Sequence, residues 1–512
     1  MLGTGIAQAL PSERELVRVA DIREGSEGSG VNWLTPVGDQ LFFVADDGEH
    51  GGELWVTDGT EAGTRMVADL RPGGLGSVPH DLVPFKGRVV FVGLVPQSGD
   101  FEVLSSDGEE ITRLAPGVEP YLGPQPIGDK VAFLAQGGGL YASEDGVTAS
   151  QLATSPASPA GSRNFAFNGR FIYQGSTQSD GMELWAWDGT ASPPERFTNM
   201  PSSIVLEDVA FSQGRLFFAH DVDSVWVTDL TLPGTQVVWD PTNDQDYARR
   251  LTALGDRVFF EMGFGANHEL WVTDGTPAGT QRVEQPAGTQ VTSHCTARPI
   301  AYDGRVYFRR DTDLGAEPWF TDGTTEGTGM LKNVGLSTLS SDPANFAVAG
   351  GELFFTANDH VHGRELWRSD GTAEGTVLAG DVNPGEPGSD PQRMADFRGS
   401  LFFAANDGES GEELWRTADV TPPDTRITKR PPRRIVLRGK RRKARVVLRF
   451  TADEEGATFR CKLDRGRYKK CSSPHKLRVK PGKHTVQVQA VDAAGNRDKT
   501  PAKVTFRVRK RR

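Results

Sequence analysis

Oxygen-rich loops recur along the chain and are the first candidates for chemistry. They read Ala45–Glu49, Ala357–Asp359 and Ala405–Glu409, and each places carboxylate or amide side chains side by side. Oxygen atoms in a Gly-containing turn are the ligands that Ca²⁺ takes, although no EF-hand spacing is present. We favour ordinary turns and no resident cofactor, with calcium as the alternative.

Histidine and cysteine form no catalytic constellation in the sequence. His360 and His362 lie two residues apart, but no third ligand follows at a recognised spacing, so a loop role is favoured. Cys295 has only the adjacent His294 beside it, which indicates an inert thiol. No Gly-x-Ser-x-Gly elbow occurs. We therefore predict no catalytic, cofactor-binding or metal-binding residue.

A repeated segment accounts for many of the acidic residues. Glu53–Thr64 reads Glu-Leu-Trp-Val-Thr-Asp-Gly-Thr-Glu-Ala-Gly-Thr and returns at Glu269–Thr280, Glu317–Thr328 and Glu365–Thr376. The aspartate of Asp-Gly-Thr is assigned to turn formation, because Asp bonds nearby N–H groups and Gly adopts positive φ. The recurrent aspartates are Asp58, Asp188, Asp274, Asp322 and Asp370. They repeat with the architecture, whereas a catalytic residue more often occurs once.

Nine anchor positions organise the chain. The tryptophan position of the repeat is occupied in seven copies, by Trp55, Trp185, Trp226, Trp271, Trp319, Trp367 and Trp415. Leu104 and Tyr141 replace it in two degenerate copies. An apolar run such as Leu41–Ala45 lies about ten residues before each anchor, as expected for a strand buried on both faces. The tryptophans are assigned to the core, with sugar stacking as the alternative.

The strand content of each repeat predicts an all-β fold. Each copy offers a short strand, the apolar run, the Glu-Leu-Trp strand and a final strand such as Thr64–Leu70. A four-stranded sheet with two apolar faces buries them by packing between neighbouring sheets, as the blades of a β-propeller do. We predict about nine four-stranded blades, or eight if the copies at Leu104 and Tyr141 merge.

The two ends of the repeat region complement each other. The ninth copy runs into Pro422-Pro423 without its final strand, while Glu15–Ile22 resembles that strand. We predict that the N-terminal strand completes the last blade and closes the ring. Residues 1–13 are predicted to be a leader, and Ala7-Gln8-Ala9 suggests the remnant of a truncated signal peptide. A short disordered leader is the alternative.

These repeats resemble the bacterial ELWxxDGT repeat proteins, which are named for this consensus. The resemblance covers about residues 14–419 and rests on the four full copies. It implies a secreted or envelope-associated β-propeller, for which we take the domain as 14–420. It implies no defined catalytic activity.

Residues 421–512 differ from the rest of the chain in charge. They carry a net charge of +23, against −34 for residues 1–420, within a formal total of −11. Two proline pairs predict a stiff linker at 421–434. Alternating stretches such as Arg445–Phe450 and His484–Val491 predict a β-sandwich at 435–512.

The two cysteines of this basic domain lie close in sequence. Cys461 and Cys471 are ten residues apart, which suits a disulfide across adjacent strands. The stretch His484–Asn496 resembles bacterial Ig-like modules of surface proteins, and the cysteine pair fits that resemblance. A disulfide would indicate an extracellular or cell-surface location.

Three basic segments are candidates for contact with polyanions: Lys429–Arg434, Arg438–Arg445 and Arg507–Arg512. An anionic envelope polymer is the expected partner, and docking on the acidic body or a merely solvated face are the alternatives. No base-reading motif accompanies the segments, so no specific nucleic acid is expected. No run of 18 apolar residues exists, so no transmembrane segment is expected.

The leading hypothesis is a non-enzymatic, monomeric binding or scaffold protein that is secreted or held at the cell envelope. Its propeller would present a face to a protein or glycan ligand, and its basic domain would act as a spacer or tether. The second hypothesis is a glycan-binding lectin, with calcium as an optional cofactor. The third is an extracellular hydrolase or lyase with two facing carboxylates, of which the sequence singles out no pair.

Overall fold

The computed structural model describes residues 14–96, 98–179, 181–200, 204, 206–220, 224–240, 247–264, 267–284, 286, 291–293, 297–419, 422–437, 442–454, 457–491 and 496–510. The predicted leader 1–13 and the pair His294 and Cys295 lie outside these ranges. Regular structure in the described residues consists of β-strands and two single-turn 3₁₀ helices, Glu61–Gly63 and Gln136–Gly138. The protein is therefore all-β, as predicted. No helix in the described part of the chain is long and apolar enough to span a membrane.

Nine sheets follow one another along the repeat region, numbered here in chain order from the sheet that follows the first strand, β1 (Arg14–Ala20). Sheets 1 to 4 are antiparallel and four-stranded. Sheet 1 contains β2 (Asn32–Val37), β3 (Gln40–Asp46), β4 (Gly52–Thr57) and β5 (Arg65–Met66). Sheet 2 contains β6 (His80–Phe85), β7 (Arg88–Val95), β8 (Asp100–Ser106) and β9 (Ile111–Arg113). Sheet 3 contains β10 (Pro120–Ile127), β11 (Lys130–Ala135), β12 (Gly139–Ser143) and β13 (Ser150–Thr154). Sheet 4 contains β14 (Ser158–Phe167), β15 (Arg170–Thr177), β16 (Gly181–Trp187) and β17 (Glu195–Arg196).

Sheets 5 to 9 continue the pattern. Sheet 5 contains β18 (Leu206–Ser212), β19 (Arg215–His220), β20 (Ser224–Thr228) and β21 (Gln236–Trp239). Sheet 6 contains β22 (Tyr247–Leu254), β23 (Arg257–Phe264), β24 (Asn267–Thr273) and β25 (Gln281–Arg282). In sheet 7, β26 (Val291–Ser293) and β27 (Ile300–Tyr302) both pair with β28 (Arg305–Thr312), followed by β29 (Gly315–Thr321) and β30 (Gly329–Met330). Sheet 8 contains β31 (Ala344–Ala349), β32 (Glu352–Asn358), β33 (Arg364–Ser369) and β34 (Val377–Gly380). Sheet 9 contains β35 (Gln392–Phe397), β36 (Ser400–Asn406) and β37 (Glu412–Asp419).

Each anchor lies in the third strand of its own sheet, except Trp319 of sheet 7, which lies in β29, the fourth strand in chain order. Leu104 lies in β8 and Tyr141 in β12, so the two degenerate copies form separate sheets and do not merge. The final strands are shorter than predicted. In sheet 1, β5 is two residues long, because after Met66 the ladder is reduced to a single bond from Val67 N–H to Leu54 O.

The second strand of each repeat is buried on both faces because a neighbouring sheet covers each face. In β3, Phe43 packs in a cluster with Phe402 and Leu414 of sheet 9, whereas the adjacent Phe42 packs with Phe91 of sheet 2. Successive side chains of a strand point to opposite faces, so an uninterrupted apolar run serves two interfaces. The sequence therefore shows a run instead of alternation.

The N-terminal strand completes the last sheet. Sheet 9 has the order β1-β37-β36-β35, so β1 occupies the place of the missing final strand. Val19 and Ile22 are buried and join the cluster formed by Leu41 of sheet 1 and Phe402 of sheet 9. The first and last sheets of the repeat region thus share one core.

The basic part of the chain is a second compact unit. Leu16–Arg416 form one unit, and the described residues from Thr417 onward belong to another. Its strands are β38 (Thr425–Lys429), β39 (Arg434–Leu437), β40 (Ala444–Ala452), β41 (Thr458–Leu463), β42 (Lys469–Cys471), β43 (His475–Val479), β44 (Gly482–Val491) and β45 (Ala502–Lys510). A three-stranded sheet, β38-β40-β43, and a five-stranded sheet, β39-β45-β44-β41-β42, bury one shared cluster that includes Leu448, Val488 and Phe506.

The prediction of a linker over the whole of 421–434 is wrong, because a strand lies within that range. Thr425–Lys429 forms β38 and pairs with β40, with Ile427 opposite Phe450. Alternation of buried Thr425 and half-buried Ile427 with exposed neighbours suits a strand at a sheet edge. The flanking proline pairs delimit this strand, because proline cannot donate to a ladder.

Candidate functional site

The Asp-Gly-Thr segments form closed hydrogen-bonded turns. In the first copy, Asp58 Oδ1 accepts bonds from the backbone N–H of Thr60 at 2.9 Å and from its hydroxyl at 2.6 Å. Gly59 has φ 94°, which favours glycine. The same two bonds to a following threonine are made by Asp188, Asp274, Asp322 and Asp370. These bonds hold the pKa of Asp58 below its usual value. The prediction that these aspartates form turns is confirmed.

The acidic loops are also built on bonds to their own backbone. Asp47 Oδ1 accepts the N–H groups of Glu49 and His50, each at 2.9 Å, and Oδ2 lies 2.7 Å from His50 Nδ1. Asp359 and Asp407 bind their loops in the same way. In these loops the aspartates therefore hold the turn by accepting bonds from its own N–H groups.

The two histidines considered as metal ligands face different partners. His362 Nδ1 lies 2.7 Å from Asp359 Oδ2, whereas His360 Nε2 lies 3.0 Å from the carbonyl oxygen of Ser340. Asp359 raises the pKa of His362 through this bond. Both rings therefore serve the loop.

Buried glutamates are the functional groups that sequence reasoning missed. The glutamate two residues before the anchor is at most 1 % exposed in six sheets, at Glu53, Glu102, Glu183, Glu317, Glu365 and Glu413. Its carboxylate accepts bonds from the segment that leads to the next sheet. Glu365, for example, accepts the N–H groups of Asn383 at 3.2 Å and Ser389 at 2.8 Å. A buried carboxylate needs such donors, and here it fastens one sheet to the next.

A serine partner recurs at a constant distance along the chain. Glu53 binds Ser77, Glu317 binds Ser341 and Glu365 binds Ser389, each 24 residues later. Glu413 instead binds Ser29, whose hydroxyl lies 2.9 Å from its carboxylate, and the backbone N–H of Ile22 at 3.1 Å. The last sheet therefore uses the start of the chain as its next segment. The constant 24-residue interval was the signal available in the sequence.

Burial dominates the proton affinity of these glutamates. It raises the pKa of Glu53, Glu317 and Glu365 against the opposing effect of their hydrogen bonds. Burial raises the pKa of Glu413 to about 7, and the charge of Asp21 adds to this effect. Glu102 differs: burial raises its pKa, but the hydrogen bonds from Arg113, Gly117 and Ser98 and the charge of Arg113 together outweigh burial, and the net pKa is lowered.

The seven anchor tryptophans belong to the cores between sheets. Trp185, Trp319 and Trp367 are buried, and Trp55, Trp226, Trp271 and Trp415 are half-buried. Trp55 Nε1 donates to the carbonyl oxygen of Ala45 at 3.1 Å. Each of the seven joins an apolar cluster between sheets, which supports the assignment to the core.

The first strands of the sheets carry a second set of equivalent side chains. First strands of neighbouring sheets contact one another, as β2 does with β6 and β35. The equivalent position lies four residues before the end of each first strand, with β27 representing sheet 7. It holds Trp33, Asp81, Gly123, Arg163, Asp208, Arg250, Arg298, Asn345 and Arg393. We call these the first-strand positions. They form a candidate ligand surface, because the same position recurs in each sheet whereas the type of residue at that position varies.

The first-strand positions combine strain, exposure and charge. Trp33, Asp81, Arg250, Asn345 and Arg393 have φ between 50° and 55°, unusual for side chains other than Asn and Asp. Trp33 is 41 % exposed, and Tyr121 on β10 of sheet 3 is 36 % exposed. Asp208 accepts a bond from Arg298 at 3.1 Å and from Leu251 N–H at 3.0 Å, which links three sheets.

The basic unit contains the predicted disulfide. Cys461 and Cys471 are bonded across β41 and β42, with Cα atoms 5.8 Å apart. Together with His475 they are the one group of three potential metal ligands within the described residues. The disulfide withholds both thiolates from a metal, so the group serves as a cross-link. Burial lowers the pKa of His475.

Comparisons with known proteins were made for the whole chain. No protein-family model matches it, and no curated protein matches it. Among solved structures, the computationally designed protein Ika8 aligns with a TM-score of 0.38 and 15% identity, over 78% of this chain and 99% of that chain. BamB from Moraxella catarrhalis aligns with a TM-score of 0.35 and 11% identity, over 71% and 97%. A prolyl endopeptidase structure aligns with a TM-score of 0.39 and 11% identity, over 70% of this chain and 50% of that chain. At these values the matches carry no argument about activity.

Proposed function

We propose that the protein is a non-enzymatic binding or scaffold protein, secreted or held at the cell envelope. The observation that carries the proposal is the division of charge between two units with separate cores. Residues 1–420 have a net charge of −34, and residues 421–512 have +23. The acidic unit would present a ligand surface, and the basic unit would act as a spacer or a tether to anionic polymers.

For the acidic unit we propose a closed β-propeller of nine blades, in keeping with the resemblance to ELWxxDGT repeat proteins. Three observations support closure. β1 completes sheet 9, the core cluster of Val19 spans sheets 9 and 1, and Glu413 binds Ser29 as Glu365 binds Ser389. The first strands would line the central channel, since they contact one another.

The proposed ligand surface is formed by the first-strand positions. Their side chains differ from sheet to sheet, whereas the turns and buried glutamates are repeated. Arg298 is 64 % exposed although it binds Asp208, so it reaches solvent at this end of the strands. Sites with a few polar groups in a concave, preformed setting are typical of ligand binding.

A glycan-binding lectin is the second candidate, and one observation favours it. Trp33 and Tyr121 are exposed aromatic residues near the starts of first strands, where a sugar ring would find a face for stacking. No comparable observation favours a hydrolase or lyase. In the described repeats six buried glutamates bind the backbone of the adjacent segment, and the buried Glu261 pairs with Arg250 at 2.6 Å.

An extracellular or cell-surface location is part of the proposal. The disulfide between Cys461 and Cys471 supports it, because such bonds persist in oxidising compartments. We also propose an Ig-like classification for the basic unit, supported by two packed sheets around one core.

Binding of the full chain to immobilised neutral glycans and anionic polymers tests the function. We expect binding to anionic polymers that weakens steeply with salt, because exposed cations supply it. The lectin alternative requires binding that survives salt and is lost on Trp33→Ala, or on chelation of calcium. Absence of binding to every polymer and glycan would contradict both.

A further inference from the structure

The outer face of the five-stranded sheet in the basic unit is strongly cationic. Its strands alternate buried and exposed residues, as in the pattern of β45. Eight cationic side chains lie on the outer face: Arg434, Arg460, Lys462, Lys470, Lys483, Lys503, Arg507 and Arg509. These five strands contain no Asp or Glu. We call this surface the cationic face.

Like charges stand directly opposite each other on the cationic face. Arg507 on β45 is opposite Arg434 on β39 and opposite Lys483 on β44. Arg460 on β41 is opposite Lys470 on β42. Adjacent strands lie about 4.8 Å apart, so three cations form a row about 10 Å long. Like charges in opposite positions destabilise a sheet, so this row needs a reason other than folding.

The cations of the row have no counter-ion in the described part of the chain. Asp464, which follows β41, binds His484 Nδ1 at 2.8 Å and Thr485 N–H at 2.8 Å. A second row sets Gln487 between Lys503 and Lys462. Tyr468 donates to Gln487 Oε1 at 2.9 Å, so the amide is oriented. Cations alternate here with groups that bind hydroxyls.

We infer that the cationic face binds a linear anionic polysaccharide, with Arg434, Lys483 and Arg507 contacting successive anionic groups. This inference rests on the proposed function and names the surface and ligand class of the tether. Amides and hydroxyls between the cations suit sugar hydroxyls. Tyr468, the aromatic residue beside the cationic face, is half-buried with Lys462 Nζ 4.6 Å from its ring centroid, so its ring is not a free platform for nucleic-acid bases. Among the described residues of this face, Val436 is the one exposed large apolar side chain for membrane insertion.

The three-stranded sheet offers a weaker arrangement. It also sets Arg445 opposite Arg478 and Lys429 opposite Arg449. Val447, half-buried, separates these pairs, and no row of cations there crosses three strands. It therefore supplies a matched control with equal charge and exposure.

The test uses the full chain with heparin as the probe and measures affinity against salt concentration. The triple variant Arg434→Gln, Lys483→Gln and Arg507→Gln removes the row. We expect at least tenfold weaker binding and a loss of about three from the slope of log affinity against log salt, because each lost contact retains roughly one counter-ion. Thermal unfolding should be unchanged or shifted upward, since repulsion between opposite cations is removed.

The control variant Arg445→Gln, Lys476→Gln and Arg478→Gln removes the same charge from the other sheet. It should weaken binding less than threefold. Equal losses in both variants would overturn the inference, because net charge would then suffice. Tighter, row-dependent binding to polyphosphate, single-stranded DNA or phosphatidylglycerol vesicles would overturn the polysaccharide assignment. If the unaltered chain binds none of the anionic probes, the proposed tether itself fails.

Discussion

At the scale of single residues, carboxylates serve two different purposes in the repeats. The aspartate of Asp-Gly-Thr is exposed and closes its own turn, whereas the glutamate before the tryptophan is buried and reaches the next sheet. The difference follows from burial. A buried acceptor that loses its donors costs far more than an exposed one. Substitutions at the glutamates should therefore have the larger effects.

Glu365→Ala should lower the free energy of unfolding by about 2–4 kcal/mol, because it removes the acceptor of the Val382, Asn383 and Ser389 N–H groups, of which that of Ser389 is buried, and opens a cavity. Its control is Glu269→Ala at the same repeat position of sheet 6. There the side chain is 45 % exposed and paired with Arg282, so a loss below about 1 kcal/mol is expected. Denaturant titration of both variants measures this. Equal losses would mean that the buried bonds do not stabilise the fold.

Glu413 should make stability depend on pH. Burial raises its pKa to about 7, so the folded state favours the protonated form. The stabilisation that protonated Glu413 contributes is fully present at pH values below the ordinary pKa of glutamate, and it is lost as the pH rises toward 7. The free energy of unfolding should therefore fall by at most about 1.4 kcal/mol per pH unit.

Glu413→Gln isolates this contribution, because an amide cannot ionise. The difference in unfolding free energy between this variant and the unaltered chain should change between pH 5 and 7 and then level off. A difference that stays constant across that range would contradict the raised pKa. Taking the difference between the two proteins cancels the pH-dependent contributions of His50 and His362, whose pKa values are also raised.

At the scale of elements, one strand replaces another that is missing from the repeat. β1 pairs with β37, carries Val19 into the shared core and leads to Ile22, whose N–H binds Glu413. The sequence supports this pairing because Glu15–Ile22 matches the last strand of a repeat. This pairing also accounts for the absence of a final strand in the ninth copy.

Removing β1 should destabilise the repeat region. A chain that begins at Glu24 should unfold at a lower temperature than one that begins at Arg14. Burial of Val19 and Ile22 alone contributes roughly 3 kcal/mol or more, and the edge of β37 becomes unpaired. Scanning calorimetry measures the shift. Identical unfolding temperatures would contradict closure by the N-terminal strand.

At the scale of the whole molecule, the chain divides into units that differ in charge and in their means of stabilisation. The repeat region buries apolar clusters between successive sheets, whereas the basic unit has one small core and a disulfide. A small core benefits most from a cross-link. Unfolding of the two units should therefore respond differently to reduction.

Reduction of Cys461–Cys471 should weaken the basic unit by about 3 kcal/mol, the loop-closure value for a short loop. The unfolding of the repeat region should be unchanged, because its apolar clusters contain neither cysteine. Calorimetry of the full chain with and without a reductant tests this, with the variant Cys461→Ala, Cys471→Ala as the unreactive control. A downward shift of the repeat transition on reduction would argue against separate cores.

Local features of the sequence predicted the strands and the turns and limited the repeats to eight or nine; the separate sheets that contain Leu104 and Tyr141 give nine. Asp-Gly-Thr turns, apolar runs and anchor spacing are local features, so they can be recognised without knowing which strands pair. The pairing of Cys461 with Cys471 could also be predicted from the sequence, because the two cysteines lie ten residues apart. The local signal failed at 425–429, where proline pairs suggested a linker around a real strand.

Only the tertiary structure decided which distant side chains meet. Glu413 and Ser29 are separated by 384 residues, and Arg434, Lys483 and Arg507 are brought into one row by strand register. Register depends on the pairing of strands across the whole fold, and a shift of one residue would turn each side chain to the opposite face. The contact of Glu413 with Ser29 and the cationic face therefore could not be read from local spacing, whereas the match of Glu15–Ile22 to a final strand predicted the place of β1.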